Sequence, residues 1–166
     1  MILRIVLYAA IFLVAAAAIV TAVGYALPVA HVATRDAVVN AAPEVVFARI
    51  SDPAQYRLWR PDLDSVEVLG TEPLRWREHS GGDTIAYEAI ERSAPRRFVT
   101  RIADPDLTFG GTWTWELQPE GAGTRVTITE RGEVYNPIFR FMSRFVFSRT
   151  ATMEKVLRQL PNALSR

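Results

Sequence analysis

Two charged side chains stand where the surrounding pattern calls for apolar ones. Between Asn136-Pro137 and Pro161, Ile138, Met142, Phe145, Val146, Met153, Val156, Leu157 and Leu160 recur at a helical period. Arg149 falls inside their arc, whereas Arg140, Arg144, Lys155 and Arg158 fall on the opposite side. In the strand-like stretch 125–134, Val126, Ile128 and Glu130 share one face, so if the two aliphatic residues point inward the carboxylate does too. A guanidinium and a carboxylate buried opposite each other would satisfy one another, because an unpaired interior ion is costly. One reading is an ion pair that locks helix to sheet; the other is that Arg149 or Glu130 orients a polar group on an otherwise apolar ligand. Glu130 is the one candidate acid or base, and a neighbouring arginine would lower its pKa against that role. No residue is assigned a catalytic role outright.

Aromatic residues extend the second reading. Trp113, Trp115 and Leu117 alternate onto one face of a strand, Tyr87 does so with Ile85 and Ala89, and Phe98 with Thr100 and Ile102. Each fits a filled core; together they can line a cavity. Met142, Phe145 and Met153, on the apolar arc of the helix, would then form its opposite wall, methionine being adaptable there. Trp59 and Phe109 lie in or beside loops and fit either an entrance or a plugged corner.

Other chemistries find no footing. The chain has no cysteine, which removes disulfides, thiolate metal sites and thiol nucleophiles. It carries only two histidines, His31 and His79, and no His-x-x-x-His pair or carboxylate-rich calcium loop, so no metal or other cofactor is expected. His79 beside Gly81-Gly82 reads as a turn neighbour rather than a base. Ser80-Gly81-Gly82 lacks the frame of a nucleophile elbow, and Gly121-Ala122-Gly123 leads into a strand instead of a phosphate-cradling helix. With 19 Lys+Arg against 18 Asp+Glu the chain is formally +1, too balanced for a generic nucleic-acid binder. The balance is uneven along the chain: residues 136–166 hold six basic groups and one acid, Glu154, which would leave a basic outer face on the last helix.

Holding these residues in place requires a sheet and a long helix. Residues 31–41 are β-branched and loosely alternating, a first strand. Pro43 and Glu44 open a helix with Val46, Phe47 and Ile50 on one side. Asp52 caps a second, short one, with Gln55 placed for a capping box and Trp59-Arg60-Pro61 ending it. Strands follow over 65–69, 74–79, 83–92, 97–102, 112–118 and 125–134, separated by Gly- and Pro-rich turns that imply antiparallel pairing. Asn136 and Pro137 start a final helix that Pro161 stops, 24 residues long, or roughly 36 Å.

The first segment differs in kind. From Ile5 to Leu27 there are 23 residues without a charge, enough to cross a hydrocarbon core of roughly 30 Å. Arg4 and Gly24-Tyr25-Ala26 would also serve a signal peptide, but the apolar run exceeds the ~7–15 residues of a signal core. A buried helix of a soluble domain would keep a polar stripe, and here only Thr21 is polar. The expectation is a single-pass membrane protein anchored through residues 5–27, with domains 1–30 and 31–166. Arg4 precedes the span and Arg35 is offset at once by Asp36, so charge leans toward a domain outside the cytoplasm.

The first strand, the two short helices carrying Asp52-Pro53-Ala54-Gln55-Tyr56 and Trp59-Arg60-Pro61-Asp62, the strands containing Gly111-Thr112-Trp113 and Gly123-Thr124-Arg125-Val126-Thr127, and the amphipathic last helix together resemble the START-related, polyketide cyclase/dehydrase-like superfamily (SRPBCC). The resemblance covers about residues 33–160; the added amino-terminal span departs from it. It implies an α+β helix-grip fold, with a curved antiparallel sheet of six or seven strands around the last helix and an apolar cavity between them. Members bind lipids, sterols, hormones or polyketides, and some catalyse cyclisation or dehydration. The implied function is binding of a lipophilic small molecule or lipid by a membrane-tethered domain, through Tyr87, Phe98, Trp113, Trp115, Glu130, Met142, Phe145, Arg149 and Met153. The alternatives are a cyclase-like enzyme and an envelope interaction module that binds no ligand.

Overall fold

The computed structural model describes residues 1–164; Arg166, one of the six basic groups counted above, lies outside the described residues. An apolar helix, α1 (Ile2–Ala26), leads into β1 (Ala30–Val39), α2 (Pro43–Ile50) and a 3-10 helix (Pro53–Leu58). Six strands follow, β2 (Ser65–Thr71), β3 (Leu74–Ser80), β4 (Asp83–Ser93), β5 (Arg97–Ile102), β6 (Phe109–Glu120) and β7 (Gly123–Val134), and then α3 (Pro137–Phe145) and α4 (Ala151–Leu164).

The strands form one antiparallel sheet in the order β1-β7-β6-β5-β4-β3-β2, so a six-strand meander receives the first strand along its last edge. This is the expected helix-grip α+β architecture. Register shifts at Val68/Gly70 and Ala89/Glu91 leave Leu69 and Ile90 unpaired and exposed, and such bulges bend the sheet. Alternation along each strand sends one set of side chains to the concave face: Val126 and Ile128 from β7, Trp115 and Leu117 from β6, Phe98 from β5, Leu74 and Trp76 from β3. Against this face pack Val46, Phe47 and Ile50 of α2 and Met153, Val156, Leu157 and Leu160 of α4, at the helical spacing the sequence shows.

Asp52 and Asn136 cap as expected. Asp52 Oδ1 accepts from the Ala54 amide at 3.2 Å, and Asn136 Oδ1 accepts from those of Ile138 and Phe139 at 2.9 and 3.2 Å. Gln55 closes its box on the Asp52 side chain at 2.8 Å rather than on the backbone.

The single 24-residue helix expected from Pro137 to Leu160 is instead two helices separated at Val146–Thr150. They pack on different partners. α4 lies on the sheet, whereas α3 lies on α1, where Gly24 is buried so tightly that a Cβ there would collide with the Pro137 backbone. Arg140, expected on the solvent side, is buried at this junction and donates to the carbonyls of Leu27 at 3.1 Å and Tyr135 at 3.0 Å. A cation at the carboxyl end of α1 also meets the negative pole of the helix dipole. The apolar period runs on through the break, but Ile138, Phe145 and Val146 stay exposed instead of packing on the sheet. At its far end α4 continues through Pro161, since Ala163 and Leu164 still pack on the core and only one amide bond is forgone.

Candidate functional site

The concave face and the α3–α4 segment enclose a cavity of about 320 Å³, closed at one end by the corner of α2 and the 3-10 helix. Exposure of the lining marks its orientation: Ile50, Tyr56, Trp59 and Trp76 are buried, while Phe109 and the residues around Gly110 are partly open. The first group forms a deep end and the second a rim. Seven tyrosine, tryptophan and phenylalanine side chains contribute to the wall.

Two inward-facing glutamates interrupt this wall: Glu78 follows Leu74 and Trp76 on β3, and Glu130 follows Thr124, Val126 and Ile128 on β7. At the deep end Glu78 accepts from Trp76 Nε1 at 3.0 Å and from Arg60 Nη1 at 2.9 Å. Arg60 also lies 3.5 Å from Asp62, which Lys155 approaches at 3.5 Å. Burial works against the Arg60 charge, but the carboxylates of Glu78 and Asp62 override it and raise its pKa above the ordinary arginine value. Burial opposes the Asp62 charge as well; Arg60 and a hydrogen bond from Gln159 override it and lower that carboxyl.

The phenol of Tyr56 donates to the Ile50 carbonyl at 2.5 Å, and its ring carries the Arg60 guanidinium 5.7 Å above its centre. Tyr87 stacks on Trp76 with ring centres 5.5 Å apart. Burial and then the charge of Glu78 push both phenols well above the ordinary tyrosine range, so each remains a neutral hydroxyl.

At the rim Glu130 accepts from Trp113 Nε1 at 2.6 Å, directly across the β6–β7 ladder, and meets His31 Nε2 at 3.0 Å. His31 reaches it diagonally because its own partner on β7 is Gly132. A Cβ on Gly132 would press into the imidazole ring and against Glu130. Gly132 pairs in turn with Gly111 of β6, whose positive φ of 134° and close approach to the Arg131 carbonyl suit glycine alone.

A family model described as polyketide cyclase / dehydrase and lipid transport matches residues 30–164. The chain belongs to that family. Among curated proteins none matches. Solved structures similar to it include a START superfamily protein from Mycobacterium smegmatis, 17% identical with a TM-score of 0.65 over 81% of this chain and 97% of that one. The Zhui aromatase/cyclase from Streptomyces sp. R1128 is 14% identical with a TM-score of 0.65, covering 82% and 94%. Norcoclaurine synthase from Thalictrum flavum is 12% identical with a TM-score of 0.65, covering 83% and 88%. At such identities the likeness is one of fold. What this polyketide cyclase / dehydrase-like chain shares with them is the helix-grip fold.

Of the site residues read from sequence, Tyr87, Trp113, Trp115, Glu130 and Arg149 meet at the cavity. Phe98 and Met153 are fully buried in the core, Phe98 edge-on to Phe47, and neither lines it. Met142 and Phe145 belong to α3, away from the cavity lining, and Phe145 is 60% exposed. The proposed Arg149–Glu130 pair does not form among the described residues. Arg149 sits in the break between α3 and α4 and donates through Nε to the Ser143 carbonyl at 3.3 Å, while Glu130 is engaged by His31 and Trp113. His79 bonds Thr84 across its hairpin at 2.9 Å, as a turn neighbour does.

His31, Tyr56, Arg60, Trp76 and Glu78 also line the cavity and are not among the site residues read from sequence. Glu78 carried the signal that exposed Glu130, a carboxylate in phase with two apolar residues. His31 carried none, because its role depends on a partner 99 residues away.

Proposed function

We propose that the domain of residues 31–166 binds a lipophilic small molecule or lipid in this cavity while residues 1–30 tether it to a membrane. The observation that carries the reading is the state of the two glutamates facing an aromatic cavity. Each is already engaged by an indole N–H and a basic side chain, an arrangement that satisfies buried charge rather than freeing a base. The volume of about 320 Å³ is at the lower end of small-molecule pockets, and the accessible lining is mainly apolar, as an apolar guest needs. The family description, which includes lipid transport, supports the same class. α1 is long and apolar enough to cross a membrane, and this supports the tether.

Uptake of an apolar fluorophore by the full chain in detergent, followed by energy transfer from the cavity tryptophans, tests this. Saturable uptake is expected, and Thr100→Phe, which places a ring into the cavity from β5, should weaken it at least tenfold while the protein stays folded. Uptake that does not saturate, or that Thr100→Phe leaves unchanged, would refute binding in the cavity.

A second reading, a cyclase-like enzyme, is favoured by the His31–Glu130 pair at the rim, since an imidazole paired with a carboxylate can exchange a proton with a guest. It requires turnover that His31→Phe abolishes without abolishing uptake.

A further inference from the structure

Helix α3 is amphipathic in reverse. Of its two charged residues, Arg140 is buried and held by two backbone carbonyls while Arg144 at its end is exposed, and the Ser143 hydroxyl is turned back onto the Arg140 carbonyl at 3.0 Å. Its bulky apolar residues Ile138, Phe139 and Phe145 are at least half exposed, and Val146 and Phe147 in the following turn are equally bare. A water-facing helix shows the opposite arrangement. Elsewhere on the domain exposed apolar residues are scattered; here they are concentrated over ten residues.

The position of this surface names its partner. α3 packs against α1, and on α1 Ala16, Val20, Val23 and Gly24 are at least partly covered, at the spacing of one helical face. These lie within the stretch long enough to span a bilayer, so a helix packed there shares the depth of the last turns of the span. Charge agrees with a lipid surface: from Val134 to Met153 there is no acidic residue, while Arg144 and Arg149 flank the bare aromatics. Ser143 and Arg149 also line the cavity, so the same segment ends at its rim.

We propose that α3 and the Phe145–Phe147 turn are sunk in the interfacial layer of the bilayer beside α1, so that the cavity rim opens at the lipid surface. This rests on the tether and goes beyond it: a tether alone would leave the domain free in water at the end of a leash. Apolar guests would then pass between bilayer and cavity without crossing water, and Arg144 would reach the headgroups from a partly immersed stem.

The absence of cysteine makes the test direct. The full chain carrying Ala15→Cys, Phe139→Cys, Val146→Cys or Val68→Cys, one at a time, is labelled with an environment-sensitive fluorophore in phosphatidylcholine nanodiscs with and without phosphatidylglycerol. All four positions are exposed, so labelling leaves the core intact. The labels at 139 and 146 should be quenched by nitroxide-bearing lipids and protected from aqueous iodide, as the label at 15 is, while the label at 68 behaves oppositely. Phosphatidylglycerol should deepen the quenching at 146. If 15 is quenched by lipid but 139 and 146 behave like 68, the inference fails and the tether stands. Protection of 139 and 146 from both quenchers would mean that a second copy covers the face, which also overturns it. If 15 itself is not quenched, tether and inference fall together.

Discussion

The deep end and the rim of the cavity use the same local device with different cations. Glu78 and Glu130 both continue the inward face of a strand, and both accept an indole N–H, from Trp76 and Trp113. The deep carboxylate faces Arg60, charged at every physiological pH; the rim carboxylate faces His31, charged only when protonated. The carboxylates follow the same gradient, with the Glu78 side chain 9% and that of Glu130 21% accessible, whereas the cations do not, Arg60 being 13% and His31 10% accessible. One end is thus a permanent ionic corner, and the other a carboxylate more open to the cavity mouth.

The largest test of that contrast is Glu78→Gln, which leaves Arg60 buried without its main partner. It should cost about 3–5 kcal/mol in thermal or urea unfolding of the full chain in detergent. The double change Arg60→Met with Glu78→Leu should recover most of that loss. A cost for Glu78→Gln no greater than for Glu130→Gln would break the contrast.

Gly132→Ala comes next. The added methyl displaces the His31 ring from Glu130, at a cost of about 1–3 kcal/mol. In a double-mutant cycle its effect should overlap that of Glu130→Gln, because both remove the same contact.

A smaller effect comes with alkali. The raised phenols of Tyr56 and Tyr87 stay neutral in the folded state, whereas unfolded tyrosine ionises near pH ~10. Their contribution is whole below that value and declines as pH rises above it, by at most about 1.4 kcal/mol per pH unit for each phenol. Melting curves from neutral pH upward should show this decline, and Tyr56→Phe should flatten it. Glu130→Gln, the mildest change, should cost about 1 kcal/mol or less, because the Glu130 side chain is itself 21% accessible and a glutamine there still accepts from Trp113.

Strand periodicity disclosed the inward face of Glu130 and the aromatic wall, because alternation is a property of the chain alone. The same rule applied to β3 exposes Glu78, since Leu74 and Trp76 share its face. The rule cannot name a partner, and Arg149 illustrates why: its phase on an uninterrupted helix pointed at the sheet, but the helix is interrupted. Core burial likewise could not be told from cavity lining by residue type, so Phe98 and Met153 looked like Trp115 until the walls were placed.

The sequence by itself determined an apolar span at the amino end, a meander of strands with defined inward faces and capped helix starts, since each depends on neighbours within a few residues. Only the tertiary structure decided who answers Glu130, where the last helix divides and which aromatics face empty space. Those outcomes depend on contacts between distant segments: β1 laid beside β7, which brings His31 to Glu130, and α3 drawn from the sheet to α1 by Gly24 and Arg140. Local periodicity records which way a side chain points; what it meets depends on packing that brings distant parts of the chain together.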